Sequence, residues 1–231
     1  MFLSIIIPIY NEEIDLKKNI KEVCNFFSSK FFFEVIVVND GSTDNSLEIL
    51  DALDIPNLKI INNDSNLGKG AAIKKGILTS LGEIILITDA DLSTPIRYFD
   101  DLYSKYQQGY DIVIGSRSTT DSKILIKQNL LRILAGKIFN FITCLILNLK
   151  FNDTQCGFKL FEQQKIKKIM RMCTINRFAF DVEILFLAKK LGYRIYEKGV
   201  LWSNNRNSSV SILSDSLNMF LDVIKIRFRK Y

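Results

Sequence analysis

The chain has 231 residues, 48% of them apolar and 24% charged, which suits one α/β domain with a proper core and excludes a largely disordered protein. Thirty-one Lys and Arg against 25 Asp and Glu leave a net charge of +6, which fits an anionic partner without choosing among a nucleotide, a phospholipid surface and nucleic acid. The four cysteines, Cys24, Cys144, Cys156 and Cys173, form no CxxC spacing and there is no histidine, which argues against a zinc centre and for reduced thiols in the cytosol.

The first ten residues, MFLSIIIPIY, lack a basic start and run into the acidic NEEID, so they read as a first strand rather than a leader. Apolar runs rich in β-branched residues recur at 3–10, 34–40, 58–62, 83–89 and 111–116, and segments with helical periodicity fill the gaps at 14–27, 46–53, 71–81 and 96–107. That alternation predicts an α/β fold with a mostly parallel sheet flanked by helices. Beyond residue 120 the pattern predicts a long helix over 124–147, a loop at NDTQCG, a short strand in GFKLF, a helix in AFDVEILFLAKKLG, a strand in YRIYEKGVLW and a last helix near 213–229. The apolar stretch 138–149 would be roughly 18 Å long as a helix, too short for a bilayer core of about 30 Å. No repeat or linker divides the chain, so residues 1–231 read as one domain.

Ligands of open parallel sheets bind beyond the carboxyl ends of the strands, and there the sequence gathers polar residues: Tyr10-Asn11-Glu12, Asn39-Asp40-Gly41-Ser42, Asp89-Ala90-Asp91 and Gly115-Ser116-Arg117. In extended geometry Asp89 and Asp91 share a side. They serve either as caps for the following helix or as ligands of a hard divalent ion, Mg²⁺ or Mn²⁺. Within NDGSTDNS, Ser42, Thr43 and Asp44 offer helix caps, and Asp40 is an additional acceptor suited to a pyrimidine imide N–H. Lys69 between Gly68 and Gly70 at a helix start suits a phosphate, although the spacing is not that of a Walker loop.

Taken in order, SIIIPIYNE, VIVVNDGSTD, NLGKGAA, ITDADLSTP and VIGSR resemble the inverting glycosyltransferases of family 2, which have the GT-A fold and use nucleotide-sugars. The resemblance covers about residues 3–117. The later letters DTQCGFKLF, FAFDVEIL and the VLWSNN region resemble the branch that glycosylates polyprenyl phosphates, particularly the dolichyl-phosphate glucosyltransferases. It implies a donor half, 1–117, and an acceptor and membrane-facing half, 118–231. It puts Pro8, Tyr10, Glu12 and Asp40 around the nucleoside, Lys69 beside the donor phosphates, and Asp89, Ala90 and Asp91 at the ribose, diphosphate and metal. Arg117 and Arg132 fall at the acceptor phosphate and Arg206 near the diphosphate, so that Asp91, Arg117 and Arg132 would carry the chemistry. Two departures stand out: Ser93 where related mannosyltransferases have a metal-binding glutamine, and Gly136 where the family has a serine.

The implied reaction moves a hexose, glucose from UDP-glucose, onto a polyprenyl phosphate with inversion. A phosphate monoester has a second pKa of about 6 and needs no base, which suits a chain without histidine. The rival is transfer to a soluble saccharide or protein hydroxyl, for which Asp153, Asp181 or Glu183 would act as base. A nucleotidyltransferase lacks its expected glycine-rich basic N-terminal loop here, and no aromatic or basic stripe supports nucleic acid. A membrane surface is the expected partner, with the protein peripheral at its cytosolic face. The segment 130–149 is apolar over more than one stripe. In the last helix Leu213, Leu217, Phe220, Leu221, Ile224 and Phe228 share a face ahead of Lys225, Arg227, Arg229 and Lys230, which suits either a membrane or the core.

Overall fold

The computed structural model describes residues 1–126, 130–203 and 214–231. The predicted alternation appears as β1 (Phe2–Ile9), α1 (Leu16–Ser28), β2 (Phe32–Asn39), α2 (Ser46–Asp51), β3 (Leu58–Asn62), α3 (Lys69–Thr79), β4 (Ile84–Ile87), a 3₁₀ turn into α4 (Phe99–Gln107), and β5 (Ile112–Ser116). Then come β6 (Lys123–Ile126), α5 (Leu130–Leu147), β7 (Lys159–Glu162), α6 (Gln163–Met172), α7 (Phe180–Lys190), β8 (Ile195–Gly199), β9 (Leu201–Ser203) and α8 (Ser214–Phe228). Two differences from the sequence reading matter. Residues 123–126 pair with β9 as a small parallel ribbon instead of opening the long helix, and α6 follows β7 where no helix was predicted.

Seven strands form one sheet in the order β3-β2-β1-β4-β7-β5-β8. All pairings are parallel except those of β7, which runs antiparallel between β4 and β5. The central strands β1, β2, β4 and β5 are buried on both faces, so nearly every residue in them is apolar and alternation only decides which layer it meets. Ile6, Ile36, Val38, Ile85, Ile87, Ile112 and Ile114 face the layer of α3, α6, α7 and α8. Ile5, Ile7, Val35, Val37, Ile84, Leu86 and Val113 face α1, α2 and α4. The register aligns Ile9 with Asn39 and Asn39 with Asn62, while Ile87 pairs with Lys159 and Lys159 with Ile114. The carboxyl ends of β1, β2, β4 and β5 therefore open onto one edge, with Lys159 set among them.

α5 and α8 pack against each other on the flank of this body. On α5, Leu134, Ile138, Phe141 and Leu145 are all at least half exposed. Their spacing of four, three and four residues lays them along one stripe. On α8 the expected apolar face is the outer one: Leu217, Phe220, Leu221 and Phe228 are exposed, while Met219, Val223 and Ile226 turn to the core. No helix among the described residues is long and apolar enough to cross a membrane.

Candidate active site

The loop after β1 and the loop after β2 are laced together before either reaches a ligand. Asn11 takes a left-handed conformation, φ 56°. Its backbone N–H donates to Ser42 Oγ at 3.0 Å, and its side-chain oxygen accepts from Thr43 N at 2.8 Å. The Glu12 N–H donates to Ser46 Oγ at 2.9 Å. Asp44 Oδ1 accepts from Ser46 N at 3.0 Å from one residue before the N-cap position, Asn45, whose side chain makes no cap bond, while Ser42 and Thr43 serve the neighbouring loop. Gly41 has φ 72°, and a Cβ there would lie 2.5 Å from the Ser65 backbone, so only glycine fits. Pro8 is buried within β1 and Tyr10 stands exposed at the mouth.

Asp40 is almost fully buried, and its own chain takes up most of its accepting capacity. Oδ1 accepts from Asn63 Nδ2 at 2.8 Å and Leu67 N at 3.1 Å, and Oδ2 accepts from Gly68 N at 2.7 Å. Three of about four lone-pair directions are thereby filled. This contact also revises the phosphate-cradle reading of residues 66–72. The Leu67 and Gly68 amides turn to Asp40, and Ala71 N donates to the Asn176 carbonyl at 3.0 Å. The glycines are there for packing: a Cβ on Gly68 would lie 2.5 Å from the Asn176 oxygen, and one on Gly70 2.6 Å from Phe180 Cβ.

Extended geometry was expected to aim Asp89 and Asp91 together, but β4 ends at Ile87 and the pair lies on a turn. Leu92 N donates to the Asp89 carbonyl at 3.2 Å. Leu92 has φ 47°, a conformation costly for a branched residue and typical of over-determined functional loops. Buried Asn19 of α1 donates to the Ala90 carbonyl at 2.9 Å and anchors the turn. Asp91 accepts from Ser93 N at 2.9 Å and Ser93 Oγ at 2.6 Å, so the residue in the place of the family glutamine orients the second aspartate.

Asp89 Oδ1 accepts from the Lys69 ammonium at 2.6 Å. The rest of its carboxylate presses on Gly157, where a Cβ would collide with Asp89 Oδ2. Burial works to raise the Asp89 pKa, but Lys69, then Lys159 and Arg117, outweigh it and hold it below the usual range. Lys159 itself is fully buried, donating to Asp181 Oδ1 at 2.6 Å and to the Cys156 carbonyl. A buried lysine is tolerable only when so matched.

The acids at the mouth behave differently. Burial and the charge of Asp89 raise Asp91. Burial, then Asp91 and Asp89, push Glu12 up to about 7. Negative charge gathered on hard oxygen donors suits a divalent cation. Among the described residues no cluster of three or more acids, thiols or imidazoles is arranged to hold a metal by itself. Asp89 and Asp91 can hold one only if other oxygens complete the shell, the usual condition for Mg²⁺ with a phosphate ligand.

Arg117 spends its fork inside the protein. Nε and Nη2 donate to Asp153 at 2.6 and 2.8 Å, its backbone N–H reaches the same carboxylate at 3.0 Å, and the guanidinium lies 5.5 Å from the Trp202 ring. Against the effect of burial, Arg117 holds Asp153 at about 2. Asp181 belongs to Lys159. Glu183 accepts from Thr174 N, Thr174 Oγ1, Ile175 N and the Tyr231 hydroxyl. Arg206 and the side chain of Arg132 lie outside the described residues. Sequence reasoning missed Asn19, Gly157 and Lys159. The motif DTQCGFKLF, read there as an acceptor signal, holds Arg117 through Asp153 and also walls Asp89, and the lone charge in GFKLF was the available clue to Lys159.

Residues 4–170 match the family model described as Glycosyl transferase family 2. The chain is 35% identical to a dolichyl-phosphate beta-glucosyltransferase of Dictyostelium discoideum over 99% of this chain and 75% of that protein. It is 31% identical to the Homo sapiens protein of the same name, over 98% and 75%. Among solved structures, glucosyl-3-phosphoglycerate synthase from Mycobacterium tuberculosis with UDP superposes with TM-score 0.73 at 15% identity, covering all of this chain and 81% of that one. The same enzyme with Mn²⁺, UDP and glucosyl-3-phosphoglycerate gives 0.73 at 16%, covering 98% and 79%. These likenesses give the fold: a GT-A sheet with its strand ends on one cleft.

Proposed function

The chain belongs to glycosyl transferase family 2 and is a glycosyltransferase, and from that premise we propose that it moves glucose from UDP-glucose to a dolichyl-type polyprenyl phosphate with inversion. One observation carries the choice of acceptor. Asp153, Asp181 and Glu183, the acids singled out above as the base for a hydroxyl acceptor, are each committed to partners within the fold. A lipid phosphate, already largely dianionic near neutral pH, dispenses with the base.

On this reading the nucleoside lies over Pro8, Tyr10, Glu12 and the Asp40-anchored loop, and the diphosphate meets Asp89, Ala90 and Asp91 with Mg²⁺ or Mn²⁺. The ion, when bound, neutralises charge growing on the departing diphosphate. Asp91, oriented by Ser93, and Asp89, packed against Gly157, would supply the protein ligands. A phosphate oxygen of the acceptor forms a bond to the anomeric carbon as the bond from that carbon to the β-phosphate oxygen breaks. UDP leaves with the electron pair, and an α-linked donor gives a β-linked lipid phosphate sugar. Arg117 offers the acceptor the remaining edge of its fork, braced by Asp153 and Trp202. Arg132 and Arg206 are proposed to add positive charge to acceptor and diphosphate.

Residues 1–117 serve as the donor half and 118–231 as the acceptor half of one domain, although Gly157, Lys159 and Asp181 of the second half stand behind Asp89. The outward stripes of α5 and α8 suit contact with a membrane surface, with Lys225, Arg227, Arg229 and Lys230 beside anionic headgroups. That would hold the protein peripherally at a cytosolic membrane face, where a lipid-borne phosphate meets the cleft.

The test incubates purified protein with Mn²⁺, a prenyl phosphate and UDP-glucose labelled in the sugar. Label should enter the organic phase as the β anomer. Label that stays in water, or that reaches only a soluble acceptor, overturns the assignment.

A further inference from the structure

Asp89 lies under the influence of two lysines that are alike in charge and opposite in freedom. Lys159 is enclosed in the middle of the sheet between the ends of β4 and β5, and its ammonium is held by Asp181 and the Cys156 carbonyl. Leaving would bury an unmatched Asp181, so Lys159 is fixed. Lys69 is the first residue of α3, at the cleft mouth, with more than a quarter of its side chain exposed. Among the described residues its ammonium makes one hydrogen bond, to Asp89 Oδ1. A flexible stem carrying a point charge can exchange one anion for another without disturbing the fold.

The carboxylate that Lys69 occupies is one of the two that the donor-site reading gives to the divalent ion, and the inference rests on that reading. Two cations cannot crowd one carboxylate without mutual repulsion. We infer that Lys69 is an exchangeable counter-ion: it neutralises Asp89 before the donor binds, and moves from that carboxylate to the donor diphosphate when the nucleotide enters. Lys159 stays behind and keeps Asp89 compensated throughout. A metal binding alone has to send Lys69 into water. A metal binding with a nucleotide gives it a phosphate oxygen in exchange. Lys69 is therefore a source of positive coupling between metal and nucleotide, and a competitor of the metal when the nucleotide is absent.

The test titrates Mn²⁺ into the full chain with and without UDP, following free Mn²⁺ by electron paramagnetic resonance. Lys69→Met should bind Mn²⁺ alone roughly tenfold tighter than the unsubstituted protein, and the enhancement that UDP gives should shrink by about the same factor. Lys69→Arg, which retains the cation, should resemble the unsubstituted protein in Mn²⁺ alone. Equal or weaker Mn²⁺ binding by Lys69→Met, or an undiminished UDP enhancement, overturns the inference. Undisturbed Mn²⁺ binding in the double variant Asp89→Asn, Asp91→Asn overturns the metal reading beneath it. Should Lys69→Met fail to fold, lysine-¹⁵N spectra of the unsubstituted protein decide, with the Lys69 signal identified by its loss in Lys69→Arg. That ammonium resonance should shift when UDP and Mg²⁺ are added, and a static one overturns the inference.

Discussion

Two sets of carboxylates lie in the cleft and in the core behind it, and they differ in what surrounds them. Asp40, Asp153, Asp181 and Glu183 accept from backbone amides, a guanidinium, a lysine and hydroxyls of their own chain. Glu12 and Asp91, at the mouth, are raised by burial and by negative charge nearby. The first set fixes loops and strands; the second is where an incoming cation gains most. Asp89 joins the two, held by lysine on one side and close to Asp91 on the other.

The comparison breaks first at Asp91. Replacing it with Asn should leave the fold intact and cut turnover by about 10³-fold, a barrier increase near 4 kcal/mol; an active Asp91→Asn protein would place the chemistry elsewhere. Next comes the interior pair. Lys159→Met should destabilise by about 3–5 kcal/mol in urea unfolding, because Asp181 is left buried without its cation. Adding Asp181→Leu should recover most of that loss. Glu183→Gln should cost about 2 kcal/mol of stability yet leave turnover per folded molecule unchanged. A loss of turnover beyond the unfolded fraction would return Glu183 to the role of base.

The mouth set gives a pH signature. A carboxyl raised from 4.5 to about 7 holds its proton more tightly folded than unfolded. Its contribution to stability is therefore neutral below the unfolded value and falls as pH rises through the window up to about 7. Glu12→Gln should flatten that fall. Calorimetry in buffers of different ionisation enthalpy should also register up to about one proton released per protein on binding Mn²⁺ with UDP near pH 6, and little near pH 8. The smallest effect belongs to the outer stripe: Phe141→Ser or Leu145→Ser should change stability by no more than about 0.5 kcal/mol while each weakens binding to anionic vesicles by about 1–2 kcal/mol.

Where the polar strand ends converge was legible in the sequence because strand period and turn residues are local signals. The four polar strand ends, Asp89 and Asp91 among them, could be read directly, and the departure at Ser93 followed from the family resemblance. Most partners were not legible, since they are supplied from far along the chain. Asp40 meets Gly68 after 28 residues, Arg117 meets Asp153 after 36, and Asn19 meets Ala90 after 71. Gly68 and Gly70 looked like a phosphate loop because close approach to a ligand and close approach to another segment ask for the same missing Cβ. The missed helix α6 begins directly after β7, with Gln163 following Glu162, so no turn residue announced it. In α8 an apolar face was correctly found and its direction was not, because the helix carries a second stripe at Met219, Val223 and Ile226 that alone meets the core.

The reversed strand β7 sets an order on how this molecule comes into being. Its slot between β4 and β5 is filled by residues that follow β5 by more than forty positions in the chain. During synthesis the edges of β4 and β5 would wait, apolar and unbonded, until that strand emerges, a slow and aggregation-exposed stage for any sheet. A fragment ending at residue 117 would carry all five donor-side motifs and still not be a nucleotide-binding unit, because the back wall of its acid pair has yet to be made.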